Sequence, residues 1–379
     1  MHLSATKFRP LSQRAYSRIK GFTLVEIMVG MVIGMLGIIV MMQLFALTEG
    51  QKRATTGAGD AQSAGAIALY GLQRDIRQSG YGITGTNLLG CNILLRGGVT
   101  LNSIAPVTIN HASIPAGDPS TDTLLVVYGN SNSSPEGETI IDEASAVTPP
   151  YTIAALASFA ATDRVIAAPA TRLTPCGLML DTVTAVVTNV AVATGNAGMG
   201  QGTLFNLGRA PKIQAYAIHR GNLTVCDYMT SNCGAACNVA DSPNGAALNT
   251  PTYAGSCSAA WVPIASNVVS MRAEYGRDTS VPMDAIVDLY DQTTPTTACG
   301  WAMTSALRLV LVVRNGQYEK PLVINGVPTP VTPVAPVWVG GVLIDLTNTD
   351  ANWQNYRYKV YQTTVPLRNV SWLGVQAGC

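Results

Sequence analysis

The stretch KGFTLVEIMVGMVIGMLGIIVMMQLFAL, residues 20–47, holds an apolar run from Phe22 to Leu47 that only Thr23, Glu26 and Gln43 interrupt. At about 1.5 Å per residue a helix over this run is roughly 39 Å long, more than the ~30 Å hydrocarbon core of a bilayer. The residues before it contain Lys7, Arg9, Arg14, Arg18 and Lys20 and no acid, which places them on the cytoplasmic side of a membrane crossed by the run. A secretory signal would carry a small-residue cleavage site after its apolar region. None follows Leu47, where the chain continues Thr-Glu-Gly-Gln-Lys-Arg. The processing mark lies instead before the run, at Lys20-Gly21-Phe22-Thr23-Leu24-Val25-Glu26.

Outward from the run, small or apolar residues recur at helical spacing at Ala54, Ala58, Ala61, Gly65, Ala68, Leu72 and Ile76, with Asp60, Gln62, Gln73 and Arg77 between them. This predicts that the helix continues beyond the membrane and lays one stripe on a globular domain. Gly80-Tyr81-Gly82 should end it. No proline occurs between Phe22 and Ala105. In the segment up to residue 50, Gly30, Gly34, Gly37 and Gly50 are the only weak points, and they would equally allow close helix packing.

The 379 residues carry a net charge of +1, and only 12% are charged, so no broad basic surface for nucleic acid is indicated. Beyond residue 100 the composition favours strands and turns. Ser305–Arg314 is apolar and β-rich, with Leu307, Leu309, Leu311 and Val313 on one face. Tyr356, Tyr358 and Val360 alternate with Arg357, Lys359 and Tyr361, as in a half-buried antiparallel strand. Leu124–Tyr128 and Val183–Val192 are further strand candidates. Eight cysteines occur: Cys91, Cys176, Cys226, Cys233, Cys237, Cys257, Cys299 and Cys379. In a domain exported to an oxidising compartment an even set reads as disulfides. The spacing of Cys226, Cys233, Cys237 and Cys257 is not that of paired Cys-x-x-Cys zinc ligands. The expectation is two local bridges within 226–257, with Cys299 fastening Cys379; sequence alone does not fix the connectivity.

Gly21-Phe22-Thr23-Leu24-Val25-Glu26 resembles the class III signal of type IV pilins and type II secretion pseudopilins. Three further segments resemble the PilW family of minor pilins, in that family's order. Leu72-Gln73-Arg74-Asp75-Ile76-Arg77-Gln78-Ser79-Gly80-Tyr81-Gly82 is similar to its helix end. Val268-Val269-Ser270-Met271-Arg272-Ala273-Glu274-Tyr275-Gly276-Arg277-Asp278 is similar to its central strand and Tyr-Gly-x-Asp turn. Tyr356–Asn369 is similar to its closing strand and Leu-Arg-Asn ending. Residues 90–215 carry no such resemblance.

The resemblance implies cleavage between Gly21 and Phe22 by prepilin peptidase and N-methylation of Phe22. It also implies a register role for Glu26, whose carboxylate, costly in an apolar segment, would meet the terminal amine of a neighbouring subunit. The bland alternative is a plain membrane anchor with a tolerated Glu26. The expected organisation is a leader over 1–21, a pilin helix over 22–82 whose 22–47 part serves membrane and polymer, and a periplasmic β-rich domain over 83–379. The expected fold is α+β, a long helix packed on an antiparallel sheet, with a loop-rich β insertion within 90–260.

Among catalytic patterns, His-Glu-x-x-His, Gly-x-Ser-x-Gly and the phosphate-binding Gly-x-x-x-x-Gly-Lys are all missing. Gly198-Met199-Gly200-Gln201-Gly202 lacks dinucleotide spacing and reads as a loop. His2, His111 and His219 lie far apart. Asp278, Asp284, Asp288 and Asp291 depart from the calcium-loop pattern and read as a solvated turn. The expectation is therefore a structural protein without cofactor or metal: a minor pilin that primes pilus assembly at or near the fibre tip and supports adhesion or twitching motility. Implied partners are other minor pilins, the major pilin, prepilin peptidase, the inner-membrane platform and a tip adhesin. The expected location is the inner membrane before assembly and the surface pilus after it. The rival readings are a minor pseudopilin of a type II secretion system and a membrane-anchored periplasmic binding module or enzyme that never polymerises.

Overall fold

One helix, α1 (Leu24–Gln78), carries both the apolar run and the packing stripe. The computed structural model describes residues 21–85, 87–95, 98–143, 150–234, 260–284, 286–324, 326–338, 343–347 and 350–371. The chain divides into two compact units, one ending at Thr55 and the other beginning at Thr56. In the first, every residue from Gly21 to Lys52 is exposed. Its helix is long and apolar enough to cross a membrane.

Among the described residues, the second unit contains the end of α1 and three sheets of more than two strands, together α+β. The first sheet has eight strands: β1 (Asn92–Leu94), β2 (Thr100–Leu101), β5 (Glu138–Glu143), β6 (Tyr151–Ile153), β7 (Arg164–Ala168), β8 (Gly177–Val186), β9 (Val190–Val192) and β10 (Thr203–Gly208). Their order is β2-β1-β8-β7-β10-β5-β6-β9, and β9 also pairs with β8. Six of these strands therefore close on themselves in antiparallel pairs, a closure that removes edges. They enclose a core of their own that includes Ile140, Tyr151, Phe159, Val165, Val183 and Leu204. The predicted single strand Val183–Val192 is in fact the end of β8, a turn and β9, because the chain folds back to complete this ring.

The second sheet runs β13-β12-β11-β4-β3, where β3 is Val107–Ile109, β4 Leu124–Tyr128, β11 Lys212–His219, β12 Asn222–Asp227 and β13 Val262–Ser266. It forms a middle layer. Leu124, Val126, Tyr128, Tyr216 and Ile218 face one core, while Leu125, Val127, Ile213, Ala215 and Ala217 face another, shared with Ile166, Phe205 and Leu180. Burial on both faces explains why Leu124–Tyr128 is apolar without alternation.

The third sheet, β15-β14-β16-β19, joins β14 (Val268–Arg277), β15 (Leu289–Asp291), β16 (Thr304–Arg314) and β19 (Tyr358–Pro366). Leu307, Leu309, Leu311 and Val313 share the face that meets α1, as their alternation predicts, in one core with Ala61, Ala68, Leu72 and Ile76. Val310 and Val312 face the other side, against Trp338, Ile344 and Leu346, with Tyr358 and Val360 beside them. Tyr361 packs on the helix side. Among the described residues, the remaining strands, β17 (Leu322–Ile324) and β18 (Val327–Thr329), pair only with each other.

The helical stripe differs at its start. Ala58 is exposed, and Gly57 instead packs on Asn315. Small residues are required there because the sheet approaches closely: a Cβ at Gly65 would meet the Tyr361 ring and lie 2.8 Å from Val313 Cγ2. Farther along, the gap widens and Leu72 and Ile76 fill it, 1% and 0% exposed.

Candidate functional site

The first candidate is the N-terminal turn. Thr23 precedes the helix, and its hydroxyl accepts the Glu26 backbone N–H at 3.2 Å. Thr23-x-x-Glu26 thus starts the helix as the first half of a capping box does, a signal present in the sequence that the family resemblance overshadowed. Glu26 also sits in the first turn, where the positive end of the helix dipole favours a carboxylate. Phe22 and Leu24 are 78% and 75% exposed, so this turn and the apolar run behind it offer a bare helical surface. Residues 1–20, on which most of the expected leader falls, lie outside the described residues.

The second candidate is the joint at the other end of α1, where the three family-like segments meet. Asp75 is 6% exposed yet bonded on both oxygens: the Tyr216 hydroxyl donates to Oδ2 at 2.6 Å and the Tyr128 hydroxyl to Oδ1 at 3.2 Å. Burial and the neighbouring Asp75 charge push both tyrosines well above their ordinary range. This clamp ties the helix to the middle sheet. Gln73 Nε2 donates to Thr363 Oγ1 at 2.5 Å. Asn369 Nδ2 donates to the carbonyls of Gln78 and Ser79 at 3.1 and 2.9 Å, adding side-chain partners at the helix end, where the Gln78 carbonyl also accepts the Tyr81 N–H. Leu367 is buried in the helix-facing core. The Leu-Arg-Asn ending therefore has a physical task, closing the helix that begins the domain. Gly80, at φ 85°, makes the turn out of the helix.

In the central segment the Tyr275 hydroxyl accepts the Ile109 N–H at 2.6 Å, and its own pKa rises to about 12, chiefly through burial. Gly276 is required by closeness, since a Cβ there would lie 2.9 Å from Tyr290 Cε1. Asp278, in contrast to the solvated reading, is 2% exposed, and its N–H donates to the Met303 carbonyl. Asp288 accepts from Thr279 N, Thr279 Oγ1 and Ser280 Oγ, and Asp291 pairs with Arg277. These acids organise a hydrogen-bonded turn. Among the described residues no group of three or more His, Cys, Asp or Glu is placed to hold a metal.

Of the cysteines, Cys226 and Cys233 form a local bridge. Cys91 and Cys176 form a second, between residues 85 apart in sequence, which spacing did not suggest because the two meet only where β1 lies parallel to β8. Cys299 is also disulfide-bonded. Cys237, Cys257 and Cys379, on which the remaining expected pairings rest, lie outside the described residues. The described cysteines all belong to the β-rich unit, whereas Gly21, Phe22 and Glu26 belong to the helical one.

Comparison with known proteins agrees with this geometry. Residues 16–42 match the family described as Prokaryotic N-terminal methylation motif, a stretch that contains Gly21, Phe22, Glu26 and most of the apolar run. Residues 238–369 match the family described as Type IV Pilus-assembly protein W, and this match ends on the Asn369 cap. Neither the curated proteins nor the solved structures gave a match. In the apolar helix with its methylation motif, and in the sheet that closes on the end of that helix, the chain is similar to type IV pilin-like proteins and to Type IV Pilus-assembly protein W.

Proposed function

We propose that the chain is a minor pilin, cleaved after Gly21 and N-methylated at Phe22, that primes pilus assembly together with other minor pilins and stays at or near the fibre tip. The observation that carries this reading is the pair of family matches on one helix-and-sheet framework: the methylation motif at the start of α1 and the PilW match on the sheet that closes on its other end. A bare apolar helix supports lateral packing of subunits, first in the membrane and then in the fibre. Glu26 supports register, because an ion pair with a neighbour's terminal amine in low dielectric is orientation-specific. The role is structural, and adhesion or twitching motility would follow from the fibre rather than from chemistry on this chain. The inner-membrane platform, prepilin peptidase, the major pilin and a tip adhesin are the corresponding partners, with the β-rich unit periplasmic before assembly.

The deciding experiment is mass spectrometry of the protein from sheared surface fibres and, separately, from membranes. A species beginning at methylated Phe22, scarce within fibres, is the expected result. A cleaved species confined to membranes, with pili and motility unchanged on deletion, would instead favour the secretion pseudopilin, which shares the leader and Glu26. Glu26→Ala should leave insertion and cleavage intact and weaken co-purification with other minor pilins; normal piliation in that variant would remove the register argument. Gly21→Leu should block processing.

A further inference from the structure

β19 is an edge of the third sheet and pairs on one side only, antiparallel to β16, from Pro366 opposite Ala306 to Tyr358 opposite Arg314 with no shift of register. Two bonds flanking this ladder fix the direction of its backbone groups. Asn315 N donates to the Arg357 carbonyl, and Leu367 N donates to the Ser305 carbonyl, so residues 357 and 367 turn toward β16. Backbone groups alternate sides along an antiparallel strand. Lys359, Tyr361, Thr363 and Val365 therefore also bond inward, while Tyr358, Val360, Gln362 and Thr364 direct their N–H and C=O groups away from the sheet. None of these outward groups meets a partner among the described residues. The open stretch is bounded. Before it, Thr332 Oγ1 donates to the Tyr356 carbonyl at 2.5 Å. After it comes Pro366, which has no N–H. Between these limits about 20 Å of main chain lies open.

The other sheet edges of the β-rich unit are protected. Six strands of the first sheet close on themselves. β2 has two residues and β15 has three. β3 is buried along its length, and β13 carries Pro263 and a shifted register. β19 has no bulge, is nine residues long, and is rich in the β-branched and aromatic residues that suit a strand. A long, regular edge of this kind is a template for a further strand.

We infer that β19 accepts an extended segment of a different polypeptide, which adds antiparallel to it and enlarges the sheet. The antiparallel sense continues the alternation of β14, β16 and β19. Main-chain bonds to the outward groups hold the segment, and charge selects it. Lys359 is exposed and has no ion pair among the described residues, and an acid facing it across the strands is favourable. A second copy of β19 cannot supply that acid, because Tyr358–Pro366 contains no Asp or Glu. The edge lies wholly within the β-rich unit, so strand addition does not depend on the minor-pilin reading.

The test places a photo-reactive amino acid at Thr364 of the full chain in its native cells, with Val187, 79% exposed on the six-strand ring, as the control site. Mass spectrometry identifies what each site captures. Gln362 is then changed in two ways. It is exposed, and its nitrogen faces outward as that of Pro366 does, so Gln362→Ala and Gln362→Pro should both melt with the parent. The expected result is an adduct at Thr364, absent at Val187, with one segment of one other protein. Gln362→Ala should keep that adduct. Gln362→Pro should lower its yield roughly tenfold, because the ring blocks the edge and removes a donor. An unchanged yield with proline, an equal loss with alanine, capture of a second copy, equal capture at both sites, or no adduct at all would overturn strand addition. Lys359→Glu leaves the backbone untouched and should also lower the yield; it decides the matter where Gln362→Pro melts below the parent, and an unchanged yield there overturns the acidic partner. Recovery of the chain from sheared fibres without a Thr364 adduct overturns strand addition alone and leaves the minor-pilin reading intact.

Discussion

Gly65→Ala is a sharp probe of how α1 meets the sheet, because two effects of known size oppose each other there. In an open helical position the change stabilises by about 0.8–1 kcal/mol, since alanine has less backbone entropy to lose. At Gly65 the added Cβ has no room: it meets the Tyr361 ring and lies 2.8 Å from Val313 Cγ2. Neither neighbour yields freely. Val313 is 0% exposed, and the Tyr361 ring is held by its hydroxyl bond to the Gln62 carbonyl at 3.0 Å. Overpacking of this kind costs about 1–3 kcal/mol, and losing the hydroxyl bond adds about 0.5–1.5 kcal/mol. The clash wins, with a net destabilisation of about 1–3 kcal/mol. Gly59 is the matched control: its Cβ position is open, so Gly59→Ala should stabilise by up to about 1 kcal/mol. Urea unfolding of the full chain in detergent, followed by tryptophan fluorescence, should move the two midpoints in opposite directions at unchanged slope. Adding Tyr361→Ala should remove much of the Gly65→Ala penalty, with a coupling of about 1–2 kcal/mol. A Gly65→Ala protein as stable as the parent, beside a stabilised Gly59→Ala, would refute the close approach of helix and sheet.

Other perturbations test the remaining joints. Tyr275→Phe leaves the Ile109 N–H, now bonded at 2.6 Å, without its acceptor, and should cost about 1–3 kcal/mol in the same unfolding assay. Replacing Cys91 and Cys176 together by serine removes a bridge closing 85 residues and should lower stability by roughly 2–4 kcal/mol; thermal melts of the double variant measure it. His219 is held down to about 4 by burial, beside Trp261 and with its Nδ1 bonded to Thr224 Oγ1. The unfolded chain therefore takes up this proton first as pH falls. Its contribution is complete above about pH 6.5 and lost progressively toward pH 4, on the order of 2–3 kcal/mol. His219→Gln should flatten the pH dependence of the melting temperature over that window, and an unchanged slope would contradict the burial argument.

What could be read in the sequence was read through chemistry that acts over short stretches. The apolar run, the absence of proline and the stripe from Ala61 to Ile76 need only the period of a helix, and that period announced α1. The alternation in β16 likewise named the residues that face it. Errors came where one segment serves two partners or turns back. Val183–Val192 looks uniform but is split by a turn, because β9 must reach both β6 and β8 to close the ring. Ala58 has the right spacing but lies outside the contact, since the stripe begins at Gly57. Asp278 looks like a surface acid and is buried, because β14 and the chain near Met303 enclose it.

The sequence by itself determined the long apolar helix and the resemblance to pilins, because an apolar run, an N-terminal methylation motif and a lone carboxylate within it are local patterns whose reading does not depend on distant residues. Tertiary structure alone decided the meeting of Asp75 with Tyr128 and Tyr216, the capping of Gln78 and Ser79 by Asn369 and the Cys91–Cys176 bridge. Each joins residues at least 53 positions apart through a hydrogen bond or covalent bond a few ångströms long. No spacing rule encodes such a meeting: it exists only once burial of apolar faces has stacked the helix and the sheets and brought those side chains within reach of one another.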